Sequence, residues 1–279
     1  MAVKIVTDST SDIPAEIAKE LGITVAPLVV LFGRESFKDH VDITTEEFYH
    51  RLAKDSIHPT TTQPKPHVFV NIYQELLSQN NEILVIVISS KLAGVFRSAS
   101  NAVKIVEGKG RIEVIDSKLA TLSLGLVVIE AAKMAQNGMS LSEISAAVKA
   151  ILPNSNTIVA FDTLKYLSRG GRIGKAQVML GSRLSVKPVL TLKDGEVSPV
   201  TRLRSMSAAA DYLYNQVSGI KKIRALGVSH ATTPDAANAL MQRLGALYPQ
   251  EKIYRSSVST VLGAHTGPNA LSVSFIEEK

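Results

Sequence analysis

The chain has 279 residues, 45% of them hydrophobic, which is too long for one small core and suits two domains of ordinary size or one large α/β domain. No cysteine occurs, which excludes disulfides, thiolate metal sites and cysteine nucleophiles together, and the absence of Trp with only 5% aromatics disfavours aromatic-platform nucleic-acid modules. The net charge of +6 is spread over single basic residues and short pairs such as Lys221-Lys222, a pattern that suits solubility and an anionic ligand or partner better than nucleic acid.

Short β-branched runs alternate with helical patterns along the chain, as in parallel α/β sheets. Val3–Thr7 reads as a buried first strand, followed by the capping-rich loop Asp8–Asp12 and a helix over Pro14–Leu21. Thr24–Phe32 reads as one strand, and the Gly33 turn leads into a hairpin with Glu35–Lys38. Thr44-Thr45-Glu46-Glu47 opens a helix to about Ala53, and a loop at His58–Pro64 precedes a helix over His67–Ser78. Glu82–Ile88 is a central strand, 94–106 a helix, Ile112–Ile115 a strand, and 121–136 and 141–151 two further helices. Leu152-Pro153-Asn154-Ser155 interrupts the pattern and places a boundary between a first domain, 1–153, and a second, 154–279. The second part has a strand at Thr157–Phe161, a glycine-rich loop, and a hairpin of Val189–Leu192 with Glu196–Arg202 whose Asp194-Gly195 pair suits a primed turn. A helix at 205–218, a strand at 224–229, a helix at 234–247 and strands near 252–257 and 271–276 complete it. The start, MAVKIVTDST, lacks a signal-peptide layout and no apolar run reaches membrane-spanning length, so a cytoplasmic location without a transmembrane segment is expected.

Four loops rich in hydroxyls and amides stand at strand ends: Asp8–Asp12, Thr60–Gln63, Ser89–Lys91 and Asp116-Ser117. Each alone reads equally as a cap or turn, but open α/β sheets bind ligands outside the carboxyl ends of their strands, so four together predict a shared site. In LKYLSRGGRIG (164–174), Gly170-Gly171 permit a close backbone approach, and Arg169 and Arg172 flank them with guanidinium forks that match a carboxylate. A Walker-type phosphate loop is excluded, because Ala176 stands where Ser or Thr should hold magnesium. His265, in GAHTGPN (263–269), reads as either a turn cap or part of a binding loop. The other five His residues show no metal-ligand spacing, so no metal site is expected. GVSHA (227–231) imitates a nucleophile elbow, and Ser229 with His265 would make a serine hydrolase acting on acyl esters. Against that alternative, Ala231 replaces the second Gly and Thr232-Thr233-Pro234 delays the following helix.

Six segments, TDSTSDIP (7–14), TTTQP (60–64), ISSKLAGVFRSA (88–99), IDSKLATLSLG (115–125), LKYLSRGGRIG (164–174) and GAHTGPN (263–269), resemble the DegV family of bacterial fatty-acid-binding proteins over essentially the whole chain. The resemblance implies an α/β fold of two domains, the first with a parallel sheet flanked by helices and the second with a mixed sheet, with a lipid tunnel between them. It implies a long-chain fatty acid such as palmitate as ligand, no cofactor, no catalytic residue in this chain, and a separate ATP-dependent fatty acid kinase that converts the bound carboxylate to an acyl phosphate for phospholipid synthesis. By the same resemblance Thr61 contacts the carboxylate and Thr62 stands where Ser is usual, with Ser90, Gly94, Arg169 and His265 nearby. Ala93 replaces a carboxylate-binding Ser; its backbone N–H and that of Gly94 are expected to donate instead. Arg202 and Arg204 correspond to basic positions of the kinase-docking surface.

Overall fold

The computed structural model describes residues 2–79, 81–107, 111–181, 186–249 and 253–278. The chain begins β1 (Val3–Asp8), α1 (Ala15–Glu20), β2 (Thr24–Ala26), β3 (Val29–Phe32), β4 (Glu35–Lys38), α2 (Thr45–Lys54), β5 (Thr60–Thr62) and α3 (Pro66–Ser78). There follow β6 (Glu82–Val87), α4 (Val95–Val103), β7 (Ile112–Asp116), α5 (Thr121–Gln136) and α6 (Leu141–Ile151). The remainder is β8 (Ser155–Ala160), α7 (Lys165–Arg169), β9 (Lys187–Lys193), β10 (Glu196–Leu203), α8 (Met206–Ser218), β11 (Ile223–His230), α9 (Pro234–Gly245), β12 (Ile253–Ser257), α10 (Thr260–Thr266) and β13 (Leu271–Glu277). No described helix is long and apolar enough to cross a membrane.

Helix starts follow their caps. Thr44 accepts from Glu47 N ahead of α2, and Ser140 and Glu143 form a reciprocal capping box ahead of α6. The apolar runs β1, β2, β6 and β7 form a four-stranded parallel sheet in the order β2-β1-β6-β7. A mixed six-stranded sheet runs β10-β9-β8-β13-β11-β12, in which only β11 and β12 pair in parallel. At the β9–β10 turn Asp194 (φ 53°) and Gly195 (φ 81°) both lie in the left-handed region, as a primed turn requires.

Strand periodicity divides the six-stranded sheet into two unlike faces. Ile158, Ala160, Val189, Leu226, Val228, Leu271, Val273 and Phe275 bury themselves with residues of α8 and α9. The alternate residues, Thr157, Ser272, Ser274, Gly227 and Ser229, are small or hydroxylated, and that face packs on α5. Helix α5 also packs on β1 and β6, and its residues Leu122 to Ile129 are buried without a polar stripe. A helix apolar all round belongs in an interior, and here that interior lies between the two sheets. Its fit is close: a Cβ on Gly227 would stand 2.3 Å from Leu122 Cδ2, and one on Gly125 would stand 2.4 Å from the backbone oxygen of Ser11.

Several sequence expectations are corrected. Thr24–Phe32 is two strands, because Pro27 interrupts the ladder; β2 joins the parallel sheet and β3 forms a small antiparallel sheet, β4-β3-β5. Thr60–Thr62, expected as loop, is β5 of that sheet, three residues too short to print a strand pattern. The helix expected over 94–106 spans only Val95–Val103. The segments 164–174 and 263–269, both expected as loops, hold α7 and the end of α10. The strand expected near 252–257 is seen from Ile253, residue 252 lying outside the described residues.

The Gly125 contact sets two effects against each other. Ala in a helix interior gains about 1 kcal/mol over Gly, but overpacking against backbone costs about 1–3 kcal/mol. Because the clash is with a backbone oxygen that cannot rotate away, Gly125→Ala is expected to lower the urea midpoint of unfolding; an unchanged or raised midpoint would show that α5 can shift.

Candidate functional site

Between the two sheets, where the N-terminal end of α5 stops, lies a cavity enclosing about 990 Å³ of space not filled by atoms, part of it open to solvent. The six-stranded sheet contributes alternate residues, Val159, Leu190, Leu192 and Val197, while Leu28, Ile88, Leu92 and Val261 supply the opposite wall.

Hydroxyls also line this cavity, but most are tied to the protein. Thr10 Oγ1 donates to Asp8 Oδ1 (2.5 Å), Thr121 Oγ1 to Asp12 Oδ2 (2.6 Å), and Thr191 Oγ1 to Thr157 O (2.7 Å). Thr157 Oγ1 reaches Val273 O (3.4 Å) and Ser272 Oγ reaches Ser229 O (3.4 Å). With these donors committed, most of the wall behaves as apolar surface.

Polarity concentrates at one end. β5 places Thr61 there, and Thr61 Oγ1 lies 2.8 Å from His265 Nε2, carried on α10. Burial, with smaller contributions from the Arg172 and His58 charges, lowers the His265 pKa to about 4, so the imidazole is neutral at neutral pH. Its Nδ1 is buried and finds no hydrogen-bond partner among the described residues. The ring lies flush on Gly170, where a Cβ would stand 2.1 Å from Nδ1. Gly170 therefore serves close approach at φ −77°, while only Gly171 of the pair (φ 68°) uses the left-handed region.

The cation at this end is Arg172. Its Nε donates to Leu92 O (3.1 Å) and its Nη1 to Gly170 O (2.8 Å), which fixes the guanidinium in the wall of the cavity. Arg169, to which the resemblance gave the carboxylate-facing role, is exposed at the end of α7 and does not line the cavity. Sequence reasoning singled out both arginines; choosing between them needs the helical turn of α7, which the loop reading lacked.

The other expected residues divide. Thr62 and Ala93 line the cavity with Thr61, and so does Gln63, which was not among the expected contacts. Gln63 also closes over Gly94, whose Cβ would meet Gln63 Nε2 at 3.0 Å. Ser90 and Gly94 instead line an adjoining cleft with Lys91, Arg97 and Arg172. The Ser90 hydroxyl is taken by Asp116 Oδ2 (2.5 Å), so the strand-end pair Asp116-Ser117 braces the neighbouring loop rather than lining the cavity. The expected donation by the Ala93 backbone is corrected: its N–H already bonds Ser89 O at 3.2 Å. Arg202 and Arg204 are exposed on and just after the edge strand β10, and Arg202 Nη2 donates to Val178 O (3.1 Å).

The nucleophile-elbow reading fails on position. Ser229 lies inside β11, paired on both sides and buried, rather than on a strand-to-helix turn. It does not line the cavity, its hydroxyl has no partner among the described residues, and His265 Nε2 faces Thr61. A nucleophile and base within reach of each other are not formed by this pair.

Comparison with known proteins gives full-length matches. A DegV domain-containing protein of Caldanaerobacter subterraneus subsp. tengcongensis is 39% identical over 99% of both chains. The fatty-acid-binding DegV family protein of Thermus thermophilus superposes with a TM-score of 0.92 at 33% identity, covering 100% of each chain. DegV of Bacillus subtilis, a fatty acid binding protein, superposes at 0.90 with 30% identity and the same coverage, and a stearic-acid-binding protein of Eubacterium ventriosum at 0.87 with 25% identity over 99% of this chain and 98% of the other. The family model matches residues 2–278, and the chain belongs to the DegV family.

Proposed function

We propose that this chain binds one long-chain fatty acid, such as palmitate, with its tail in the apolar part of the cavity and its carboxylate at the Thr61–His265–Arg172 end. The observation that carries this reading is the separation of polarity, with lining hydroxyls tied off along the wall and one fixed guanidinium beside a neutral Thr–His pair at a single end. The solved relatives described as fatty-acid- and stearic-acid-binding support it. Burial of about 14 methylenes at roughly 0.8 kcal/mol each releases some 11 kcal/mol gross. The tail therefore supplies affinity, and the polar end orients the head group and balances its charge.

In this reading the chain is the non-catalytic partner of a separate ATP-dependent kinase, to which it presents the carboxylate for conversion to an acyl phosphate. Arg202 and Arg204 form part of the docking surface. Their exposure on an edge strand whose Val197 lines the cavity supports that assignment. The domain boundary belongs to the same reading, between 153 and 154, with the ligand between the two halves.

Denaturing extraction of the purified protein is expected to yield a saturated or monounsaturated long-chain acid in stoichiometric amount. An empty extract, with no uptake of added palmitate by the delipidated protein, would sink the proposal; turnover of acyl esters abolished by Ser229→Ala would favour the hydrolase instead.

Head-group contacts are separable in a fluorescent fatty-acid displacement titration. Thr61→Val is expected to cost about 1–3 kcal/mol, because it removes a partner from a desolvated site. Ala93→Ser is expected to tighten binding by at most about 1.5 kcal/mol through one added hydroxyl. Wild-type affinity in the first together with abolished binding in the second would put the carboxylate elsewhere.

For docking, Arg202→Ala and Arg204→Ala should leave fatty-acid affinity unchanged and slow phosphorylation of the bound acid by a cognate kinase. Loss of the ligand from either variant would remove these residues from the outer surface.

A further inference from the structure

Two buried carboxylates from the N-terminal half meet the start of α10. Asp12 Oδ1 accepts from Ser259 N (3.0 Å), and Asp39 Oδ1 accepts from both Thr260 N (3.1 Å) and Thr260 Oγ1 (2.7 Å). Ser259 in turn accepts from Leu262 N (3.5 Å). The orphan donors of a helix start are thus held largely by groups distant in sequence. From there α10 runs seven residues, a rod of about 10 Å at 1.5 Å per residue, and His265 is its next-to-last residue.

Neither carboxylate is explained by an ion pair. Asp12 has no cationic partner among the described residues, and Asp39 has only the exposed His40 at 3.8 Å. Asp39 Oδ2 is buried and unbonded among the described residues. A hydroxyl cap offers one oxygen, whereas a carboxyl group offers two, so Asp12 holds Ser259 and Thr121 at once, although burial raises its pKa to about 7. Asp12 gathers further elements: Oδ2 accepts from Thr121 Oγ1, and its backbone oxygen accepts from Ser256 Oγ. Asp12 (φ 51°) and Thr121 (φ 52°) both hold left-handed backbone, which for the β-branched Thr121 persists only where surrounding bonds over-determine it. Thr121 itself lines the cavity.

We propose that Asp12 and Asp39 are positioning residues for the head-group site: by fixing the N-terminal end of α10 they set where His265 meets Thr61. Elsewhere α10 is closely packed, with Phe48 and Tyr49 against Gly263 and Tyr166 against Gly267, and its C-terminal half bonds Thr61 through His265 and Tyr49 through Thr266. Asp12 and Asp39 supply the directional hydrogen bonds at its N-terminal end. The depressed pKa of His265 is the reporter, since it depends on the ring staying buried on Gly170.

The test uses the delipidated full chain, with the His265 imidazole followed by ¹⁵N NMR across pH, and fluorescent fatty-acid displacement in parallel. Asp12→Ala and Asp39→Ala are expected to move His265 from about 4 toward the ordinary imidazole range, and to weaken binding about tenfold, one hydrogen bond's worth. Asp39→Asn, which keeps an acceptor for Thr260, should restore both readouts to near wild type. General destabilisation of a protein that is still folded would leave the His265 titration where it was. If an Ala variant does not fold, Thr260→Val decides, because it removes one of the two bonds to Asp39 without opening a large cavity and should shift His265 in the same direction. A wild-type His265 titration in every folded variant overturns the proposal. The ligand arm rests on the fatty-acid reading, whereas the NMR arm does not: absent palmitate binding by the wild type would defeat that reading alone.

Discussion

Helix α5 is the constraint on which the other parts depend. Over Leu122–Ile129 it is buried around its whole circumference between two sheets, so both must present surfaces that fit it. The parallel sheet meets it with β1 and β6. The mixed sheet meets it with small residues, Gly227, Ser272 and Ser274, because a helix seated this close leaves little room for larger side chains. The alternate residues, on the opposite face of that sheet, are Ile, Val, Leu and Phe, where α8 and α9 approach it. Where α5 ends, at Ala120 and Thr121, the sheets remain apart and larger residues, Leu190, Leu192 and Val197, line the space left open. The cavity is therefore a consequence of where one buried helix starts.

Most hydroxyls along the cavity wall are tied to the protein, which leaves an apolar lining. A hydroxyl facing an oily tail without a partner would lose its hydrogen bond to water and gain nothing, at a cost of about 1–3 kcal/mol. The wall avoids that by turning its Thr and Ser hydroxyls to Asp8, Asp12 and backbone carbonyls. At the polar end the roles differ by ionisation. Burial holds His265 neutral, so it and Thr61 offer hydrogen bonds without charge, and the Arg172 guanidinium carries the positive charge. Two backbone carbonyls, Leu92 O and Gly170 O, keep that guanidinium in place.

Much of this was legible in the residues. Short β-branched runs located most of the strands, the stretch 121–136 located α5 at its observed ends, and Asp194-Gly195 located its turn, because each depends on neighbours in sequence. The six motif segments pointed to Thr61, Thr62, Ala93 and His265, all of which line the cavity. Less legible were short elements stabilised from outside: β5 exists because β3 pairs with it, and α10 because Ser259, Asp12 and Asp39 satisfy its first donors. Seven residues form a helix too short to be stable alone, so its local pattern carries little signal.

By itself the sequence determined the fold class, the order of the elements and the family, since these rest on hydrophobic periodicity, turn chemistry and motif spacing that any one stretch of chain displays. Only the tertiary structure placed Arg172, and not Arg169 three residues before it, in the cavity wall. It likewise removed Ser229 from consideration by burying it inside a strand, and tied the Ala93 backbone to Ser89. These outcomes depend on which way a side chain or N–H points once distant segments pack against it, and that direction is a property of the assembled core rather than of any local run of residues.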